Sequence, residues 1–157
     1  LLHAFNWSHC LATVSEGVWY VVAFRSIRNE RADPARLKLL DDRAYDEAMQ
    51  SSGLLAYFRG DLTERRECLS VCVWESREAA AEATRLEAHS AAADITDEMY
   101  DLFELERWQI IKHAGGGRME LRSVTGESSR YSPRRSAWTP AHPSLVDPVL
   151  PSGSSMV

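Results

Sequence analysis

The chain has 157 residues, 45% hydrophobic and 26% charged, an ordinary globular mixture that fits one domain with at most a tail. No run approaches the roughly 18–20 apolar residues that a membrane-spanning helix needs, so no such helix is predicted. The net charge of −5 argues against a nucleic-acid binder, because neutralising phosphates requires a basic face.

The charge is unevenly spread. Residues 1–113 hold 13 Lys/Arg against 20 Asp/Glu, a net of −7, while residues 114–157 hold 5 against 3, a net of +2. Pro34 precedes residue 113, whereas Pro133, Pro140, Pro143, Pro148 and Pro151 crowd the end. Gly115-Gly116-Gly117 is entropically costly for a regular element to cross, and the Ser/Pro/Arg-rich stretch beyond it has no apolar period. Residues 114–157 therefore read as a mostly disordered tail, with Trp138, Leu145 and Val149 as weak contacts. The chain opens at Leu1 rather than Met and reads as a fragment or processed form. Its first residues lack the basic stretch and apolar core of a secretory leader.

In chain order, residues 1–14 predict an amphipathic helix with Leu1, Phe5 and Ala12, or Leu2 and His9, along its stripe. Trp19–Arg25 is aromatic and β-branched and too short for a helix, so it predicts a buried strand. Asp33-Pro34 supplies an N-cap with proline at the first helical position. Leu37, Leu40, Ala44 and Ala48 continue that helix through Gln50, and Gly53 stands where a left-handed cap is wanted. Asp41, Asp42, Asp46 and Glu47 read as its wet side. Leu54–Arg59 is a second strand, and Gly60-Asp61 with Thr63–Glu67 a hairpin connection. Cys68–Trp74 is the third strand, with Leu69, Val71 and Val73 on one face and Cys68, Ser70, Cys72 and Trp74 on the other. Ser76 caps an Ala-rich helix running toward Tyr100, with a second capping signal at Asp94-Ile95-Thr96-Asp97. Leu102–Lys112 is the last strand.

The order β-α-β-β-α-β predicts an α+β, ferredoxin-like domain over residues 15–113, a four-stranded antiparallel sheet with both helices on one face. Trp19 or Tyr20, Tyr57, Cys72 and Trp74 would make the other face too apolar to leave in water. Sheet-to-sheet packing into a homodimer, a dimeric α/β barrel, is the natural remedy. Cys10, Cys68 and Cys72 form no C-x-x-C pair, and Cys68 and Cys72 would share one side of a strand, a poor disulfide geometry. Free thiols in a reducing compartment follow, hence a cytoplasmic setting.

Val73-Trp74-Glu75-Ser76 leading into a helix that carries His89, within this order, resembles the dimeric α/β-barrel superfamily. That group includes antibiotic-biosynthesis monooxygenases and stress-responsive barrel proteins, some of them polyketide cyclases. A fungal family of uncharacterised proteins resembles the chain more closely. The matching blocks are Trp19–Ser26, Ala32-Asp33-Pro34 with Leu37, Ser52–Phe58, Cys68-Leu69, Val73–Arg77, His89, Met99-Tyr100 and Glu104–Arg107. They cover about residues 15–112. One fold hosts many activities, so function rests on the site.

The resemblance implies a catalytic role for His89, since the cyclase branch carries a histidine late in the second helix. An imidazole there can move the proton that ring closure or oxygen attack requires. A histidine bonded on the helix surface or at a dimer seam fits the same pattern. The cyclase branch also has an ionisable partner on the first strand and a helix tyrosine; here those positions hold Trp19 or Tyr20, and Ala83. Tyr20 or Tyr57 could donate a phenolic hydrogen bond to a substrate carbonyl, and either could equally anchor the core. Trp74, as tryptophans do in the monooxygenase branch, could pack against a planar substrate, with Trp19, Phe24 and Tyr100 completing the expected contacts. Glu104 and Glu106 share a strand face, either as a carboxylate pair or bonded to Arg25 or Arg107. His3, His9 and Cys10 lack a fourth metal ligand, no nucleotide-binding glycine motif occurs, and His89 and His113 are the candidate haem ligands without further support. No metal or cofactor is expected. The expectation is a cofactor-free cyclase or monooxygenase acting on an aromatic or polyketide-like molecule in secondary metabolism. The alternative is a non-catalytic dimeric binding or scaffold protein of the same fold.

Overall fold

A computed structural model describes Leu1, residues 4–115 and 119–124, and the backbone of residues 129–131. A short helix α1 (Trp7–Cys10) precedes strand β1 (Gly17–Arg28), helix α2 (Pro34–Gln50), β2 (Leu54–Arg59) and β3 (Glu67–Trp74). Three further helices, α3 (Arg77–Ala83), α4 (Glu87–Asp94) and α5 (Thr96–Met99), lead into β4 (Tyr100–Lys112). Two additions follow, β5 (Met119–Ser123) and β6 (Ser129–Tyr131). The strands pair antiparallel in the order β2-β3-β1-β4-β5, with β6 also on β4. Its first four members have the ferredoxin-like arrangement expected from the chain order.

Local chemistry explains most of these elements. The Asp33 carboxylate accepts from the amides of Ala35 at 2.9 Å and Arg36 at 3.1 Å, and Pro34 starts α2. Gly53 has φ +86°, and a Cβ there would stand 2.7 Å from the Ala79 Cβ, so glycine serves both the turn and the approach of α3. Ser76 accepts from the Ala79 amide at 3.1 Å and starts α3. The helical stretch from Ser76 toward Tyr100 breaks at two places, the later of them where the second capping signal stands. One is the capping signal near Ile95; the other is Leu86, whose extended backbone (φ −70°, ψ 154°) separates α3 from α4. That earlier break has no local capping residue and is stabilised from α2, as described below.

Parity along the strands sorts two cores. Trp19, Val21 and Ala23 of β1, Leu69, Val71 and Val73 of β3, Phe58 of β2 and Ile110 of β4 occupy the face away from the helices. Tyr20, Val22 and Phe24, with Tyr57, Cys72 and Trp74, occupy the helix face. A third cluster, Leu37, Ile95 and Met99, joins α2 to the end of the helical stretch. Val21, Leu37, Met99 and Ile110 are fully buried, each worth about 1.5–3 kcal/mol of transfer free energy. Among the described residues no helix is long and apolar enough to cross a membrane.

The sheet departs from expectation at both ends of the chain. The helix expected over residues 1–14 shrinks to the single turn of α1, capped by the Asn6 side chain, which accepts from the His9 amide at 3.2 Å. Outside that turn, Leu1, Ala4 and Leu11 also pack on this face of the sheet. Phe5 and Trp7 are buried against Phe58, Val21 and Ile110, and Lys112 Nζ donates to the carbonyls of Leu11, at 2.7 Å, and Val14. The face expected to lie bare, and to demand a second copy, is thus covered by the chain itself. Nor do Tyr20, Tyr57, Cys72 and Trp74 point to that face; they point to the helices. A strand buried on both sides reads as continuously apolar, which conceals which residues face which way. Beyond the Gly115 turn, Met119–Ser123 and Ser129–Tyr131 pair with the β4 edge instead of joining a disordered tail. The alternation Met119, Leu121 against Glu120, Arg122 suits an edge strand, and pairing satisfies backbone groups that the β4 edge would otherwise leave open. Trp138, Leu145 and Val149 lie outside the described residues, as does Leu2.

Candidate functional site

The helices do not pack flat on the sheet. A cavity of about 880 Å³ remains between the helix face and α2, α3 and α4. Its floor is set by strand register. Tyr20 pairs with Trp74, and Tyr57 with Cys72, which in turn faces Val22. Next come Arg59, Ser70, Phe24 and Leu105 in one row, then Cys68, Ser26 and Phe103. Arg28, paired with Tyr100, closes the far end. The floor therefore grades from aromatic at Trp74 to polar and charged at Arg28.

Six of the seven expected site residues line this one cavity: His89, Tyr20, Tyr57, Trp74, Phe24 and Tyr100. Trp19 does not. Its odd position on β1 turns it to the opposite face, where its ring lies over Gly17, so close that a Cβ on that glycine would meet it at 2.6 Å. Glu106 also lies away from the cavity, paired with Arg25 and accepting from the Trp108 indole N–H at 2.9 Å, which makes it a structural acid. His113 sits opposite Glu120 at 3.8 Å, outside the cavity. Among the described residues no group of three or more His, Cys, Asp or Glu could hold a metal ion.

His89 is held by an acid of α2 that the sequence assigns to the wet side. Glu47 reaches from α2 and caps α4, accepting from the Ala88 amide at 3.1 Å and the His89 amide at 3.0 Å. Its Oε2 also stands 3.3 Å from His89 Nδ1. Desolvation pushes the Glu47 carboxyl upward, but the two amides and the imidazole outweigh it and hold the carboxyl below its usual range. An ionised Glu47 can only accept from Nδ1–H, which in the neutral imidazole leaves the lone pair on Nε2.

Asp41 is the second acid assigned to the wet side that the structure turns inward. It lines the cavity, where burial raises its pKa against the pull of Arg59 and Arg28. Asp42 does face outward, bonded to Lys38 and, at 2.8 Å, to Arg59, and Asp46 is exposed. The signal was present in the periodicity: Asp41 follows Leu37 by four and precedes Ala44 by three, and Glu47 follows Ala44 by three. Both belong to the buried stripe by spacing, and their charge alone marked them as wet. Tyr57 packs edge-on to Tyr45 with ring centroids 5.0 Å apart, and burial lifts its phenol well above the usual value. Burial lifts Tyr100 likewise. Both phenols stay protonated at neutral pH and can act as donors. Cys68 and Cys72 are free thiols on the cavity floor, each raised by burial and so held as a neutral thiol.

A sequence profile described as PB2B2.08-like matches residues 1–123. The chain belongs to that family. The matched stretch includes both the N-terminal segment and β5, which lie outside the expected domain, and ends before β6. No curated protein sequence matches the chain. Solved structures similar to it include SnoaB, a cofactor-independent oxygenase from Streptomyces nogalater. That match has 11% identity, 63% of this chain and 96% of that one covered, and a TM-score of 0.46. Rv0793 from Mycobacterium tuberculosis is 13% identical over 76% of this chain and 99% of that one, with a TM-score of 0.47. A conserved protein from Methanosarcina mazei Go1 is 13% identical over 74% and 93%, with a TM-score of 0.45.

Proposed function

We propose that the cavity binds a planar aromatic or polyketide-like molecule and that His89 removes a proton from it, with no bound cofactor. The observation that carries this reading is the Glu47–His89 pair at a cavity that Tyr20, Tyr57, Phe24 and Trp74 also line. Glu47 orients the imidazole, and Nε2 takes a proton from an acidic C–H. Tyr57, whose phenol burial keeps protonated, or Tyr20 donates to the carbonyl oxygen on which the charge develops. The carbanion then has two outlets. It can attack a carbonyl of the same molecule, closing a ring, with His89 returning its proton to the new alkoxide. Alternatively it passes an electron to dioxygen and recombines to a peroxide, which loses water and leaves a ketone; a CH2 group and O2 become C=O and H2O. In this reading the protein works in secondary metabolism, in the cytoplasm of a fungus. Its support for that setting is the resemblance of the Trp19–Ser26 and Ser52–Phe58 blocks and the reduced cysteines.

Anthrone, an aromatic carbon acid that becomes anthraquinone by this stoichiometry, tests the reading through oxygen uptake. The wild-type chain should accelerate the reaction, and His89→Ala and His89→Gln should lower kcat by about 10²–10⁴-fold with unchanged circular dichroism. Full activity in either variant sinks the proton-transfer role. Tight anthrone binding without acceleration in the wild type supports the non-catalytic binding protein instead.

A further inference from the structure

The charged end of the cavity takes no part in that chemistry. Arg28 lies there with its Nε shut off from solvent and without an acceptor, and its guanidinium makes no hydrogen bond among the described residues. Buried donors are nearly always paired, because an unmet one forfeits its hydration for nothing. Arg59, the neighbouring cation, is occupied by Asp42 at 2.8 Å and by the Asp41 carbonyl at 3.1 Å. Asp41 is within electrostatic reach of Arg28 but not within 4.0 Å of it as an ion pair among the described residues. Among the described residues neither the Arg28 guanidinium nor the Asp41 carboxylate has a hydrogen-bond or ion-pair partner, and both line the cavity.

We infer that Arg28 anchors a carboxylate, so that the molecule bound in this cavity is an aromatic acid. Its carboxylate meets the guanidinium, and its rings lie over Phe24 and Tyr57 toward His89. A guanidinium matches the two oxygens of a planar carboxylate, and one negative charge relieves it. A phosphate dianion suits the end less well, because Asp41 adds repulsion for each further charge. Asp41 and Glu47 are six residues apart on α2, about 9 Å along its axis, so an acid that spans the two ends needs about two fused rings. This inference rests on the cavity being the ligand site, as proposed above, but not on His89 moving a proton.

Calorimetry on the full chain with 2-naphthoate, its neutral amide 2-naphthamide, and inorganic phosphate tests it. The acid should bind about tenfold or more tightly than the amide. Arg28→Gln should abolish that preference while leaving amide binding in place, and Arg28→Lys should keep part of it. Asp41→Asn, which removes the opposing charge, should tighten naphthoate several-fold. Equal affinity for acid and amide in the wild type overturns the inference. So does an intact preference in Arg28→Gln, or phosphate that displaces naphthoate at matched concentration. Should Arg28→Gln fail to fold by circular dichroism, Arg28→Lys and Asp41→Asn decide: an unchanged preference in the first, or unchanged naphthoate affinity in the second, overturns it. His89→Gln separates the two proposals: inactivity on anthrone with the acid preference retained upholds both. Full activity with the preference retained removes only the proton-transfer step.

Discussion

Glu47 shows how one carboxylate can serve an element and a site together. It replaces the missing N-cap of α4 and, with the same oxygen that takes the His89 amide, orients the imidazole. Its folded pKa lies below the ordinary 4.5. As pH falls, the unfolded chain therefore takes up this proton first. The contribution to stability is complete above about 4.5 and lost as pH falls through the lower, folded value. Glu47→Gln should thus melt below the wild type at pH 7, and the two melting curves should converge in acid. Thermal unfolding between pH 3 and 7 measures this, and a constant difference across that range would contradict the assignment. On anthrone, the same variant should lose about 10–100-fold in kcat, the usual cost of removing a histidine's orienting partner. Asp41 has the opposite sign: its raised pKa makes ionisation harder in the fold, a cost present at neutral pH and absent below the ordinary 3.8.

Elements are set here by punctuation more than by propensity. Asp33-Pro34 starts α2, Ser76 starts α3, and the left-handed Gly53 lets β2 begin beside α3. Gly53→Ala meets both a positive φ and the Ala79 methyl, so it should cost about 2 kcal/mol or more in urea denaturation. Asp33→Ala, which removes a cap and nothing else, should cost about 1 kcal/mol. The ranking of the two is the more telling outcome, since a cap loss is relieved by water and a backbone clash is not. The α3–α4 break was illegible because its cap is a side chain from 41 residues earlier.

Across the molecule, the N-terminal segment decides what the sheet offers to partners. Phe5 lies 5.0 Å from Trp7 and 5.0 Å, edge-on, from Phe58, over an apolar face that a ferredoxin-like sheet otherwise exposes. A homodimer through that face therefore requires residues 1–14 to leave it. Phe5→Ala should cost about 3–5 kcal/mol on its own. Phe5→Ala combined with Trp7→Ala should uncover Trp19, Phe58 and Trp108 and shift the chain to a dimer in light scattering behind size exclusion. A double variant with the same mass in solution as the wild type would show that this face is not the pairing surface.

Composition, strand alternation and caps were enough for the α+β class and the β-α-β-β-α-β order, because each is written in neighbouring residues; His89 stood out through the resemblance alone. Pairing partners and facing are not so written. Whether Trp19 or Tyr20 meets the cavity turns on one residue of parity in a strand buried on both sides. Asp41 and Glu47 carry the polarity of a surface, which masks the buried-stripe spacing they share with Leu37 and Ala44; the cavity and α4 give them the partners that let them face inward. Met119–Ser123 follows a glycine run and sustains no apolar period, and its hydrogen bonds come from the open β4 edge. Such long-range pairings leave no mark in local sequence, since their stabilisation comes from groups far along the chain.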